Sequence, residues 1–261
     1  GLQQMIDGWM NGHEPVYSFE ARDGIRHCVW RVDEPETVAR MKEAFGQIPA
    51  TYIADGHHRA ASAVKVGLTR RQENPGYTGR EAFNYFLSVL FPEDQLKILP
   101  YNRVVSDLNG RSADEFLGEI AEHFQVESLG GEPFAPQEKG TFGMILEGQW
   151  YKLAAKPEIL SSDPVKGLDV SVLQDWLLGP VLGIKDPRTD KRIDFIGGIR
   201  GLGELVRRTS QDMKVGFSMY PTSIEELLAV ADEGLLMPPK STWFEPKLLS
   251  GLFIHPLDEI Q

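Results

Sequence analysis

The stretch YIADGHHRAASA, residues 52–63, places Asp55, Gly56, His57, His58 and Arg59 in immediate succession. Three kinds of chemistry could use such a run. Asp55, His57 and His58 are all metal-ligand types, which a divalent phosphohydrolase could use. Adjacent histidines at a helix start diverge, however, and His13, His27, His123 and His255 stand isolated along the chain without ligand spacing. The second chemistry is phosphate binding. A helix start after a strand presents unpaired backbone N–H groups and a positive dipole end, and Gly56 lets the backbone come close to an anion. Arg59 could fork onto phosphate oxygens, with Ser62 among the small residues that follow. Asp55 could orient a histidine, hold magnesium or cap the helix. The third reading is purely structural: Asp55 caps and the histidines are surface groups.

Two further segments carry suitable groups. DPRTDKRIDFIGG, residues 186–198, sets Arg188, Lys191 and Arg192 among Asp186, Asp190 and Asp194. It reads either as a salt-bridged loop or as a second basic contact to a phosphate, with Gly197 and Gly198 permitting close approach. MPPKSTWFEPK, residues 237–247, offers Lys240, Ser241 and Thr242 to phosphate and Trp243 to a purine face; alternatively it is an apolar loop sealing a cleft. Asn84, Tyr85, Asn102 and Arg103 are weaker candidates, since polar residues at strand ends often satisfy backbone groups.

The elements that position these residues follow from apolar spacing and turn signals. LQQMIDGWM is helical. Val16–Ala21 and Ile25–Val32 form a hairpin around Asp23–Gly24. EPETVARMKEAFGQI is an amphipathic helix with Pro35 near its first turn and Val38, Met41, Ala44 and Phe45 on one face. ATYIAD reads as a short buried strand, and HHRAASAVKVGL as a helix ending at Gly67. FNYFLSVLF is expected as a central strand and QLKILPYNRVV as a strand with a proline bend. SADEFLGEIAEHF carries a capping box of Ser112 and Glu115. QVESL, GTFGMILEG and QWYKLAA form an antiparallel meander. SVLQDWLLGPVLG is helical with Asp169 as cap, IKDPRTDKRIDFIGG is a loop leading to a short strand, and GLGELVRRTSQ, KVGFSMYP and SIEELLAVADEG alternate as helix, strand and helix. The remainder reads as a long loop. This irregular alternation predicts a mixed α/β (α+β) fold, with a soft boundary dividing residues 1–110 from an α/β region at 111–261.

The 261 residues are 41% hydrophobic and 25% charged, a globular balance. A net charge of −11 argues against a broad nucleic-acid or anionic-membrane surface. No run approaches the length of a membrane span. A single cysteine, Cys28, forbids an internal disulfide, so a reducing cytoplasm is the natural setting. A buried structural role is expected for that thiol.

ADGHHRAASA resembles the phosphate-binding turn of the ParB/sulfiredoxin superfamily, a Gly-x-x-Arg helix start after a strand. Within it, D-G-H-H-R is most similar to the free-serine kinases, which phosphorylate L-serine with ADP or ATP. The chain as a whole is identified as a member of the domain-of-unknown-function 1015 family, also termed SpoOJ/ParB-like, through YIADGHHRAASA, NYFLSVLFP, LPYNRVV, DPRTDKRIDFIGG and MPPKSTWFEPKLLSGLFIH. The resemblance implies a ParB/sulfiredoxin-like strand–turn–helix core within residues 1–110. It implies nucleotide-dependent phosphotransfer to a small hydroxyl compound, with magnesium as helper. Asp55, His57 and His58 are then the catalytic candidates, and Gly56, Arg59, Ser62, Arg188, Lys191, Arg192, Lys240, Ser241, Thr242 and Trp243 the phosphate and nucleotide contacts. Family members are normally longer at the N-terminus, so this chain is expected to be the C-terminal part of a larger protein whose preceding segment supplies the catalytic acid. The alternative within the superfamily is a non-catalytic, CTP-binding switch like ParB, without its DNA-binding surface. Sulfiredoxin chemistry is excluded, because its cysteine position is occupied here by His57.

Overall fold

The computed structural model describes residues 1–258. They divide into two compact units, Gly1–Ile53 and Ala54 onward.

The first unit is built from local signals. Helix α1 (Leu2–Gly12) leads to the hairpin of β1 (Tyr17–Glu20) and β2 (Arg26–Val29), and α2 (Pro35–Gly46) closes it. The hairpin pairs Tyr17 with Val29 and Glu20 with Arg26, and Ala21 N–H bonds the Ile25 carbonyl, so the loop is the three residues 22–24, one longer than a two-residue Asp23–Gly24 turn would give. Asp23 Oδ1 accepts the Ile25 N–H at 3.1 Å inside that turn. Pro35 starts α2 at a position where its missing N–H costs nothing. The two indoles tie the unit together through backbone: Trp9 Nε1 donates to the Arg31 carbonyl and Trp30 Nε1 to that of His13. Val38 and Phe45 stay exposed, so α2 does not bury the face its spacing suggests. Cys28 is exposed as well, contrary to the expectation of a buried thiol. It lies on the more exposed face of β2, whose burial alternates along the strand, and its Sγ is 3.2 Å from Ser18 Oγ.

The second unit is organised by a six-stranded antiparallel sheet in the order β5-β7-β6-β9-β4-β8. Its strands are β4 (Tyr101–Val105), β5 (Phe124–Gly130), β6 (Thr141–Leu146), β7 (Gln149–Ala155), β8 (Ile193–Gly197) and β9 (Val215–Met219). β6 and β9 are buried along their whole length, which makes them the centre. The two-residue period of a strand sorts their side chains onto two faces. Phe142, Met144, Leu146, Val215, Phe217 and Met219 enter the larger core with Phe116 and Ile120 of α4 (Ala113–His123). α5 (Asp169–Leu173) and the π-turn Gln174–Leu178 that continues it contribute to the same core. Ile145, Trp150 and Val104 face the other way, onto Leu205 of α6 (Gly201–Gln211). The capping box of Ser112 and Glu115 forms as predicted, and a second, Ser223 with Glu226, starts α7 (Ile224–Asp232).

Four expectations require correction. Residues 51–54 form no strand, and Tyr52 and Ile53 are exposed. FNYFLSVLF is not a central strand either. Asn84 donates to the Glu81 carbonyl and accepts from Arg71 Nε, which curls residues 82–84 into a short 3₁₀ turn, and 85–91 follow without pairing. Helix α3 (His57–Glu73) runs past Gly67, which packs beneath the Phe83 carbonyl instead of ending it. Asp169 is the first residue inside α5, not its cap. Its carboxylate reaches across to the Gly140 N–H, at 2.9 and 3.1 Å from its two oxygens. The closing loop also holds a short strand, β10 (Trp243–Glu245), paired with β3 (Lys97–Leu99).

Candidate functional site

The turn before α3 is shaped by Gly56, whose φ of +83° lies in the left-handed region that glycine adopts at little cost. A helix beginning there first closes with Ala60 N–H on the Gly56 carbonyl, so α3 itself offers no acceptor to the N–H groups of His57, His58 and Arg59. The Arg59 side chain folds back over this gap. Its Nη2 and Nε come within 3.0 and 3.1 Å of where a Gly56 Cβ would stand. A side chain at residue 56 would therefore be strained in its backbone and would displace the guanidinium.

Asp55 Oδ1 accepts the Gly56 N–H at 2.8 Å, and its Oδ2 lies 3.2 Å from Lys247 Nζ. Partial burial alone would raise this carboxyl. The Gly56 N–H, Lys247 and the nearby Arg59 charge outweigh it and hold Asp55 below the usual carboxylate range. His57, His58 and Ser62 are exposed. The turn thus gathers one carboxylate, two imidazoles, two cations and a row of free N–H groups.

Lys247 was not among the residues singled out from sequence, although it closes the MPPKSTWFEPK segment. Its ammonium also stands 5.0 Å from the Trp243 ring centre, so it joins the aspartate turn to a loop 192 positions further on. Trp243 donates Nε1–H to Glu245 at 2.7 Å and meets Tyr101 edge-on at 5.3 Å. It packs so closely on Gly197 that a Cβ there would fall 2.5 Å from the ring. The close approach foreseen at Gly197 is thus made by this indole, and that at Gly198 by Pro100. Stacking of Trp243 on a purine requires Lys247 to move aside.

The other sequence candidates are distributed differently. Ser241 is buried, with its hydroxyl on the Pro238 carbonyl at 2.6 Å, while Lys240 is exposed and lies 5.4 Å from the Tyr101 ring. Thr242 is half-buried. Arg188 is clamped by Asp186 through two hydrogen bonds, and Arg192 by Asp190 with a further contact to Asp107. Lys191 is exposed between them. Asn102 is structural: its Oδ1 accepts the Met219 N–H between strands. Asn84 and Tyr85 likewise serve their own loop. Arg103 is buried, which lowers its guanidinium to about 10 against a smaller opposing influence from Tyr101, so it remains cationic at neutral pH.

Among the described residues no group of three or more His, Cys, Asp and Glu side chains is placed to hold a metal ion. A magnesium ion bridging phosphates asks for only one or two protein carboxylates, and Asp55 fits that lesser requirement. No helix among the described residues is long and apolar enough to cross a membrane.

The chain belongs to the family described as "Protein of unknown function (DUF1015)", whose pattern it matches over residues 1–171. No curated protein matches it. Among solved structures it is similar to a conserved hypothetical protein from Pyrococcus furiosus, at 18% identity and a TM-score of 0.39, covering 76% of this chain and 72% of the other. It is similar also to a free serine kinase in complex with AMP, at 16% identity and a TM-score of 0.38, covering 82% and 81%. A variant of that kinase in complex with ADP matches at 18% identity and the same TM-score of 0.38, again over 82% and 81%. Scores this low assign no residue a role.

Proposed function

We propose that the Asp55–Arg59 turn cradles the phosphates of ADP or ATP and that the protein transfers a phosphoryl group to a small hydroxyl compound of the free-serine kind. The observation that carries this reading is the arrival of Lys247 at 3.2 Å from Asp55, where the Arg59 charge also acts, just before the first turn of α3. Phosphoryl transfer asks chiefly for positioning and charge neutralisation. The free N–H groups and Arg59 hold phosphate oxygens, and Lys247 exchanges Asp55 for the phosphate when nucleotide enters. Asp55, ionised and released, orients the acceptor hydroxyl or holds magnesium, which when bound would neutralise phosphate charge. His57 and His58 stand at the mouth, able to accept the acceptor's proton as its oxygen bonds to phosphorus and the bond to the leaving nucleotide breaks. The family resemblance of D-G-H-H-R supports the same assignment.

Calorimetry against ADP, ATP, CTP and pyrophosphate, with and without magnesium, tests it. R59A is expected to weaken the preferred nucleotide by tenfold or more while the thermal transition stays in place. Formation of O-phosphoserine from L-serine then reads turnover. Unchanged affinity in R59A overturns the phosphate cradle. Binding of CTP without turnover favours a ParB-like switch instead.

A further inference from the structure

Arg103 on β4 is only 3% exposed, yet the acceptors its guanidinium meets are two backbone carbonyls, of Tyr101 and of Lys240 at 3.0 Å. Among the described residues no carboxylate pairs with it. Neighbouring arginines are treated otherwise: Arg188 and Arg192 each hold their own aspartate at 2.9 and 2.8 Å. A buried charge without a counter-charge is costly to keep, and such groups concentrate where a ligand supplies the missing partner.

Arg103 opens onto a cleft of about 430 Å³, lined also by Gln174, Lys185, Asp186, Arg188 and Phe195. That size falls within the small-molecule range of ~300–1,000 Å³. Asp186 is spent on Arg188, so Arg103 and Lys185 leave the cleft cationic in a chain of net charge −11. The Arg103 guanidinium lies 5.7 Å from the Phe195 ring centre, which sets a cation beside an aromatic wall. Gln174 opens the π-turn Gln174–Leu178, and its amide is anchored on the Ile184 carbonyl at 2.7 Å. π-turns inside helices are frequent at functional sites.

We propose that this cleft is a second small-molecule site, in which Arg103 forks onto the carboxylate or phosphate of an organic anion whose apolar part lies against Phe195 and the Pro238–Pro239 edge. None of the residues lining it belongs to the Asp55–Arg59 turn, and the proposal does not rest on the phosphate cradle.

The test is arginine-selective ¹⁵N labelling of the whole chain, titrated with benzoate, phenyl phosphate and, as the neutral control, benzyl alcohol. One buried Arg Nε–H resonance, absent in R103K, is expected to shift saturably with an anion and not with the alcohol. Benzoate alone would identify a carboxylate site, and phenyl phosphate alone a phosphate-ester site. K185E, on the exposed rim, should raise the dissociation constant about tenfold, the scale of one charge-assisted bond. That variant carries the test if R103K does not fold. R59A should leave the titration unchanged. Silence with both anions, a K185E curve superimposable on the parent, or loss of binding in R59A would each overturn the proposal.

Discussion

At the scale of single residues, the charges that matter are the ones whose partners are poor value for stability. The Asp55–Lys247 pair is about half exposed, 55% and 43% for the two side chains, and exposed pairs contribute at most about 1 kcal/mol. K247M is therefore expected to leave the denaturation midpoint almost unmoved while weakening nucleotide binding by tenfold or more. A large stability loss with unchanged affinity would make Lys247 a structural strap. Asp169 is the opposite case. Burial pushes its carboxyl up to about 7, the Gly140 N–H opposing and Glu226 reinforcing that rise. A folded-state value above the unfolded value of about 3.9 means that protonation favours the folded chain. This contribution is whole below about pH 4, and it is lost as pH rises through about 7. Asp169→Asn keeps an acceptor for Gly140 without the charge. It should raise stability at pH 8 by a few kcal/mol and flatten the dependence between pH 4 and 7, as read by urea denaturation across that range. An unaltered slope would show that Asp169 does not titrate there.

At the scale of elements, what sequence could announce was whatever local chemistry decides. The hairpin at Asp23–Gly24, the Ser112 capping box, and the strands at 101–105 and 215–219 all formed where turn residues, caps and alternation placed them. Tyr52–Ile53 and Phe83–Phe91 did not. An apolar run does not state whether a partner strand exists, and the Asn84 contacts to Glu81 and Arg71 belong to a turn that apolarity conceals. The candidate site was legible by half for the same reason. D-G-H-H-R is contiguous, whereas the Lys247–Asp55 contact and the β10–β3 pairing that accompanies it are tertiary. Strand β8 positions that loop through Gly197, where Trp243 rests on bare backbone. G197A introduces a methyl about 2.5 Å from the ring and should cost about 1–3 kcal/mol, the usual penalty for overpacking. It should also shift the tryptophan emission and, through Lys247, weaken nucleotide binding. Wild-type emission and affinity in a folded G197A protein would separate Trp243 from the phosphate turn.

At the scale of the whole molecule, the two compact units are unequal in what stabilises them. The second has two packed clusters on either side of its sheet. In the first, none of residues 1–53 is fully buried, and its cohesion rests on a four-pair hairpin, two indole hydrogen bonds and a stacked Trp9–His13 pair. A unit of this length buries too small a share of its surface to offset chain entropy without a dense core, and Cys28 can supply no internal disulfide. A peptide of residues 1–53 should therefore give the circular dichroism of a largely unfolded chain and narrow amide dispersion by NMR. The segment from Ala54 should retain a cooperative transition close to that of the whole chain, because both clusters lie entirely within it. A folded peptide, or collapse of the longer piece without it, would show that the stability of the first unit has been misjudged from its burial.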